Sequence, residues 1–170
     1  MKHIFTTTLL LLLISSATKA QYSYAGKIEF GYMHFAYHPI RVDPGPGWKG
    51  YYLNNNGIYI NSINGLSNPN KKLFAGLGLG YMNFEGINGI SVFADFEYLP
   101  LKTRITPILN FKIGYDHIWN QYDGGTGTKL AEFGLGLNYK LSKEFSLYLK
   151  SGVLFTQQSA LLPITVGLRF

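Results

Sequence analysis

The sequence predicts an all-β fold: an up-and-down antiparallel transmembrane β-barrel, with eight strands. Three observations predict it. Apolar residues alternate with polar or small ones in segment after segment, charge is too scarce for a soluble domain, and aromatics gather toward the ends of the apolar faces. Of the 170 residues, 46% are hydrophobic, 16% aromatic and only 14% charged, with 20 glycines, whereas a soluble domain carries about a quarter charged residues. Mean hydropathy is nevertheless only +0.04. The apolar residues are therefore interleaved with polar ones, as a sheet with one face in lipid requires.

Residues 1–20 read as a cleaved signal peptide and residues 21–170 as one barrel domain. Lys2 and His3 make a basic start, positions 4–14 are apolar apart from three threonines, and Thr18 and Ala20 are the small residues before a cut at Gln21. The apolar run is about half the ~20 residues that a spanning helix needs. Cysteine is absent, which excludes a disulfide framework and a thiolate metal site. The formal charge is +6; removing Lys2 and Lys19 leaves about +4, from 13 of the 15 basic residues against 9 acidic. These cations are scattered, without the basic stripe that nucleic acid binding requires.

Strand side chains point alternately to the two faces of a sheet. In the first strand Ile28, Phe30 and Tyr32 oppose Lys27, Glu29 and Gly31. The second is placed within residues 50–65, around Ile58 and Ile60, where three asparagines interrupt the pattern. The third sets Leu73, Ala75, Leu77, Leu79 and Tyr81 against Gly76, Gly78 and Gly80. The fourth sets Ile90, Val92, Ala94, Phe96 and Tyr98 against Ser91, Asp95 and Glu97. In the fifth, Ile105, Leu109, Phe111, Ile113 and Tyr115 oppose Thr106, Asn110, Lys112, Gly114 and Asp116. In the sixth, Phe133, Leu135, Leu137, Tyr139 and Leu141 oppose Glu132, Gly134, Gly136, Asn138 and Lys140. The seventh sets Phe145, Leu147, Leu149, Val153 and Phe155 against Ser146, Tyr148, Lys150 and Gly152. The last sets Leu162, Ile164, Val166, Leu168 and Phe170 against Pro163, Thr165, Gly167 and Arg169.

A soluble β-sandwich also alternates, with a solvated, charged outer face. Here the polar face is glycine-rich with isolated charges of both signs, which suits a tight interior. Aromatics end the apolar faces, Tyr98, Tyr139, Phe145 and Phe170 at one end and Tyr81, Tyr115 and Phe155 at the other, where headgroups lie. Strands of about 9–11 residues give eight crossings and seven connections within the mature length. Turns are expected at 64–72, 100–104 and 142–144, and outer loops at 38–49, 85–89, 119–128 and 157–161.

The segments GLGLGY (76–81), VFADFEY (92–98), FKIGYDH (111–117) and ITVGLRF (164–170), with the leader, resemble the outer-membrane protein β-barrel domain family, the small OmpA/OmpX-like barrels. The resemblance covers essentially the whole mature chain. It implies a bacterial outer-membrane location among lipid and lipopolysaccharide. It also implies that the terminal strand, through Ile164, Val166, Leu168 and Phe170, is the signal read by the barrel assembly machinery. It does not imply an activity, because one fold hosts many.

Strand parity directs ten charged side chains into the lumen: Lys27, Glu29, Asp95, Glu97, Lys112, Asp116, Glu132, Lys140, Lys150 and Arg169. An eight-stranded barrel is just wide enough to be filled by its own side chains, and charges in so narrow a space must pair. The expected function is therefore a structural or surface-interaction role with the interior plugged by paired charges. A narrow passage for ions or small solutes is the alternative, and a lipid-modifying enzyme the second. An enzyme needs a nucleophile beside a base. His34, His38 and His117 have no serine two residues away, and Asp116 and His117 with Asp123, the nearest approach to a site, have no serine in their segment. His34 and His38 lack a third ligand for a metal, and no cofactor is expected. The outer loops offer Arg41, Trp48, Trp119, Tyr122 and Asp123 as contacts for an unknown surface ligand, although tryptophan also anchors at this depth.

Overall fold

The computed structural model describes residues 22–39, 53–119 and 125–170. Among them are eight strands: β1 (Ser23–Tyr37), β2 (Gly57–Ser67), β3 (Leu73–Phe84), β4 (Ile87–Tyr98), β5 (Ile105–Ile118), β6 (Thr126–Lys140), β7 (Ser146–Thr156) and β8 (Ser159–Arg169). Each pairs antiparallel with its neighbours in sequence, and β8 returns to β1, closing the barrel without a free edge. Closure leaves no unpaired row of backbone groups, the condition for a sheet to sit in lipid.

The outside is apolar. Phe30, Leu77, Leu79, Val92, Leu135, Leu137 and Ile164 are all more than half exposed. The inside holds Lys27, Glu29, Asp95, Lys112 and Lys150, each at most 2% exposed. A soluble protein has the opposite polarity; this is the distribution of a transmembrane barrel. Tyr98, Tyr139, Phe145 and Phe170 are exposed at the end carrying the β2–β3, β4–β5 and β6–β7 turns, and Tyr81, Tyr115 and Phe155 at the other, loop end.

β2 runs from Gly57 to Ser67, past the 50–65 window. Its pattern is blurred because its outward face includes Ser62 and Asn64, while its inward face includes Tyr59 and Ile63. Tyr24 satisfies Asn64 on the outside, its hydroxyl donating to Oδ1 (2.5 Å). The first turn accordingly shrinks to 68–72. Asn68 builds it: its Oδ1 accepts from the amides of Lys72 (2.8 Å) and Leu73 (3.1 Å) while Lys71 takes φ 52°. In the turn at 141–145, Ser142 Oγ likewise accepts from the Glu144 and Phe145 amides (3.2 and 3.0 Å).

The loop-end connections at 85–86, 119–125 and 157–158 are shorter than expected, because β4, β6 and β8 begin at Ile87, Thr126 and Ser159. Glu85–Gly86 and Gln157–Gln158 are two-residue hairpin loops with positive φ at both positions (52° and 99°; 49° and 59°), the geometry that matches strand twist. Gly86 suits it. Gln158 does not, whereas Gln157 is at least held by a bond from its Nε2 to the Thr126 carbonyl (2.9 Å). Gln158→Gly is therefore expected to raise stability by about 0.5–1 kcal/mol, read from the urea midpoint of the barrel refolded in micelles. An unchanged midpoint would show that this backbone carries no strain.

Candidate functional site in the barrel interior

Inward parity on six strands brings eight charges into one layer. β1 supplies Lys27 and Glu29, β4 Asp95 and Glu97, β5 Lys112, β6 Glu132, β7 Lys150 and β8 Arg169. Glu29 is the centre. Its Oε2 accepts from Lys112 Nζ (2.7 Å) and Asn61 Nδ2 (3.1 Å), and its Oε1 from Lys150 Nζ (2.7 Å) and the Tyr148 hydroxyl (2.9 Å). Lys112 also reaches Glu132 (3.2 Å), its register partner on the neighbouring strand.

A second group forms around Lys27, which pairs with Asp95 and with Glu97 Oε1 (2.6 Å), while Arg169 pairs with the other Glu97 oxygen. Asn110 joins the two groups, accepting from Lys150 Nζ (2.8 Å) and donating to Asp95 Oδ1 (2.5 Å). The layer is balanced, four cations against four anions, so each buried charge has an opposite neighbour, without which its burial would be costly. Lys27 also sits 4.4 Å from the centroid of the Phe74 ring, a face that attracts cations.

Two of the ten expected interior charges stand apart. Lys140 is only half-buried at the turn-end mouth, where β6 ends, and its Nζ reaches the Lys102 carbonyl at 3.5 Å. Asp116 is buried nearer the loop end. It accepts from Thr156 and makes no salt bridge among the described residues. The expected five of each sign becomes a closed set of four and four.

The sequence reading misses the apolar layers on either side. Toward the loop end, Met33, Leu53, Phe84, Ile118, Leu130, Leu154 and Leu161 are buried in one cluster, and toward the turn end Leu99, Ile108 and Tyr148 form another. The signal lies in parity: Leu130 is in phase with Glu132, and Leu154 with Lys150. Glycines make room for the interior rings. A Cβ at Gly167 would collide with Tyr148, and one at Gly78 with Phe93. A void beside Tyr59, Phe93 and Lys112 measures about 20 Å³, space for about one water.

Arg41, Trp48, Tyr122 and Asp123 lie outside the described residues. Trp119 is 47% exposed and meets His117 edge-on, ring centroids 5.1 Å apart. Asp116 and His117 point to opposite faces of β5, so they do not form a site together. His34 lies on the exposed exterior. Past a bulge in β1, His38 Nδ1 comes within 3.3 Å of Ser159 Oγ, a pair 121 residues apart that local spacing does not reveal. Ser159 is fully buried, and its hydroxyl donates to the Leu53 carbonyl (2.5 Å). A serine so placed is not an exposed nucleophile.

No family model and no curated protein matches the sequence. Among solved structures, the barrel is similar to Neisserial surface protein A (NspA), at 9% identity and a TM-score of 0.66, covering 86% of this chain and 95% of that one. It is also similar to the N-terminal β-barrel domain of Pseudomonas aeruginosa OprF, at 15% identity and a TM-score of 0.55, covering 88% of this chain and 100% of that one. At these identities the likeness is one of fold.

Replacing Glu29 with Gln keeps its shape but leaves Lys112 and Lys150 short of countercharge, an expected loss of about 3–5 kcal/mol. Asp116→Asn, at a carboxylate without a cationic partner among the described residues, is expected to change stability by less than about 1 kcal/mol. Denaturant unfolding in micelles checks both. Equal losses would show that the four-and-four pairing is not what holds the layer.

Proposed function

We propose that the chain is an integral protein of the bacterial outer membrane with a structural or surface-interaction role, its interior plugged rather than conducting. The observation that carries this reading is the charged layer lying between two apolar groups, with Arg169, 11% exposed, at its turn-end edge. A water-filled path needs continuous polar lining, and here Met33, Phe84, Leu154 and Leu161 on one side, and Leu99, Ile108 and Tyr148 on the other, interrupt it. The apolar exterior and the fold shared with NspA and OprF support the location. The basic, apolar and small-residue succession of positions 1–20 supports export by a cleaved leader.

Surface interaction then falls to the loop end, with Trp119 and the loop residues Arg41, Trp48, Tyr122 and Asp123 as contacts for lipopolysaccharide or another surface ligand. The reading is non-enzymatic, because Ser159, the serine nearest a histidine side chain among the described residues, is fully buried and its hydroxyl is engaged by the Leu53 carbonyl. The terminal residues Ile164, Val166, Leu168 and Phe170 serve as the assembly signal in this reading.

Two measurements test it. The outer-membrane fraction is run on gels with and without boiling; the mature-size band is expected there, shifting its mobility on heating, whereas an unshifted band in the soluble periplasm would mean a secreted sheet. The purified barrel is then placed in planar bilayers, where no single-channel steps are expected. Reproducible steps abolished by substitution of Lys112 or Lys150 would replace the plugged reading with a passage.

A further inference from the structure

The turn end of the barrel carries a charge that the interior layer does not use. Lys71 and Lys72 lie in the first turn, Lys102 and Arg104 in the second, and Lys140 and Lys143 at the third. None of these six forms a salt bridge among the described residues. The acidic side chain beside them is Glu144, and the Phe170 carbonyl accepts from the Gly26 amide (2.8 Å).

Lys71, Lys140 and Lys143 converge with Arg169, and with the single acid Glu144, on a pocket of about 160 Å³ at the turn-end mouth of the barrel. Lys71 Nζ spans to the Lys143 carbonyl (3.0 Å), tying the first turn to the third. The other wall is apolar: Tyr24, Phe145 and Phe170 line the same pocket and are 64%, 46% and 42% exposed on the barrel's outside. Inside it, Asn138 is 1% exposed and its Oδ1 has no hydrogen-bond partner, although buried polar atoms are nearly always bonded.

We propose that this pocket binds one anionic phospholipid of the periplasmic leaflet. Its phosphate lies among Lys71, Lys140 and Lys143, a headgroup hydroxyl donates to Asn138 Oδ1, and the glycerol and upper acyl chain run along Tyr24, Phe145 and Phe170. Cations on one wall and lipid-facing aromatics on the other match the two halves of such a molecule, at the depth where aromatic residues meet headgroups. The proposal rests on the outer-membrane reading, which places the turn end at the inner leaflet.

The test reconstitutes the mature barrel in vesicles of equal parts phosphatidylcholine and phosphatidylglycerol, extracts it in mild detergent and counts retained lipid by native mass spectrometry. Wild type is expected to retain one phosphatidylglycerol in clear preference to phosphatidylcholine. The triple variant Lys71→Gln, Lys140→Gln, Lys143→Gln is expected to lose that retention by about tenfold or more. The control Lys72→Gln, Lys102→Gln, Arg104→Gln removes the same charge outside the pocket and is expected to keep it. Lys143→Gln alone, on an exposed turn, serves if the triple variant does not fold.

Equal loss in the control would reduce the effect to diffuse attraction and overturn the site. Equal retention of both lipids, or full displacement by millimolar inorganic phosphate with matching protection against unfolding, would overturn it as well. A barrel that shows the heat-dependent shift yet retains no lipid defeats this inference alone. A chain that neither enters the membrane nor shifts defeats the outer-membrane reading beneath it.

Discussion

The structure depends on one carboxylate shared by two strands' ammonium groups. Glu29, fully buried, is contacted by Lys112, Lys150, Tyr148 and Asn61, so that one side chain on β1 is tied to β5, β7 and β2 across the lumen. In a soluble protein the interior is held by apolar burial. Here much of the apolar surface faces outward, and the driving force between strands inside must come from polar contacts in a medium of low dielectric. Such contacts are strong when every member is satisfied and expensive when one is missing. That is why the four-and-four balance matters more than any single pair.

Given that layer, the rest of the interior follows. Water reaching the charges would screen them, and the apolar clusters at either side limit its access to the layer, leaving Arg169 at the turn-end edge. Asn110 lets the Glu29 group and the Lys27 group act as one unit, since neither an acid nor a base could face both Lys150 and Asp95 without leaving one of them opposed. Tyr148 takes part twice, as a ring in the turn-end apolar layer and as a donor to Glu29. Gly167 leaves space for that ring.

Most of the fold was legible in the sequence because the barrel imposes period two on every strand, and seven strands declare it. β2 does so poorly for a physical reason: Ser62 and Asn64 face outward, with Asn64 satisfied by Tyr24 across the β1–β2 ladder. A long-range contact of that kind leaves no local trace. Parity also placed the charges on the inward face, but it carries no depth. It could not say that Lys140 lies at the rim or that Asp116 lies outside the paired set, because depth depends on strand tilt and register. The apolar layers were hidden in plain alternation, since Leu130 and Leu154 break the polar face in the same way that chance would. The Ser159–His38 approach needed the closure of β1 on β8.

That closure has a consequence for how the chain must assemble. In the β1–β8 ladder Lys27 stands directly opposite Arg169, so the first and last strands meet with like charges face to face. The acids that reconcile them, Asp95 and Glu97, come from β4, in the middle of the sequence. A seam formed before the central strands are in place would set these two cations together without the acids that offset them. The order of events is thereby biased: the sheet must curl far enough to bring β4 across the lumen before its edges can join, and premature union of the two ends is disfavoured by the same charges that hold the finished barrel together.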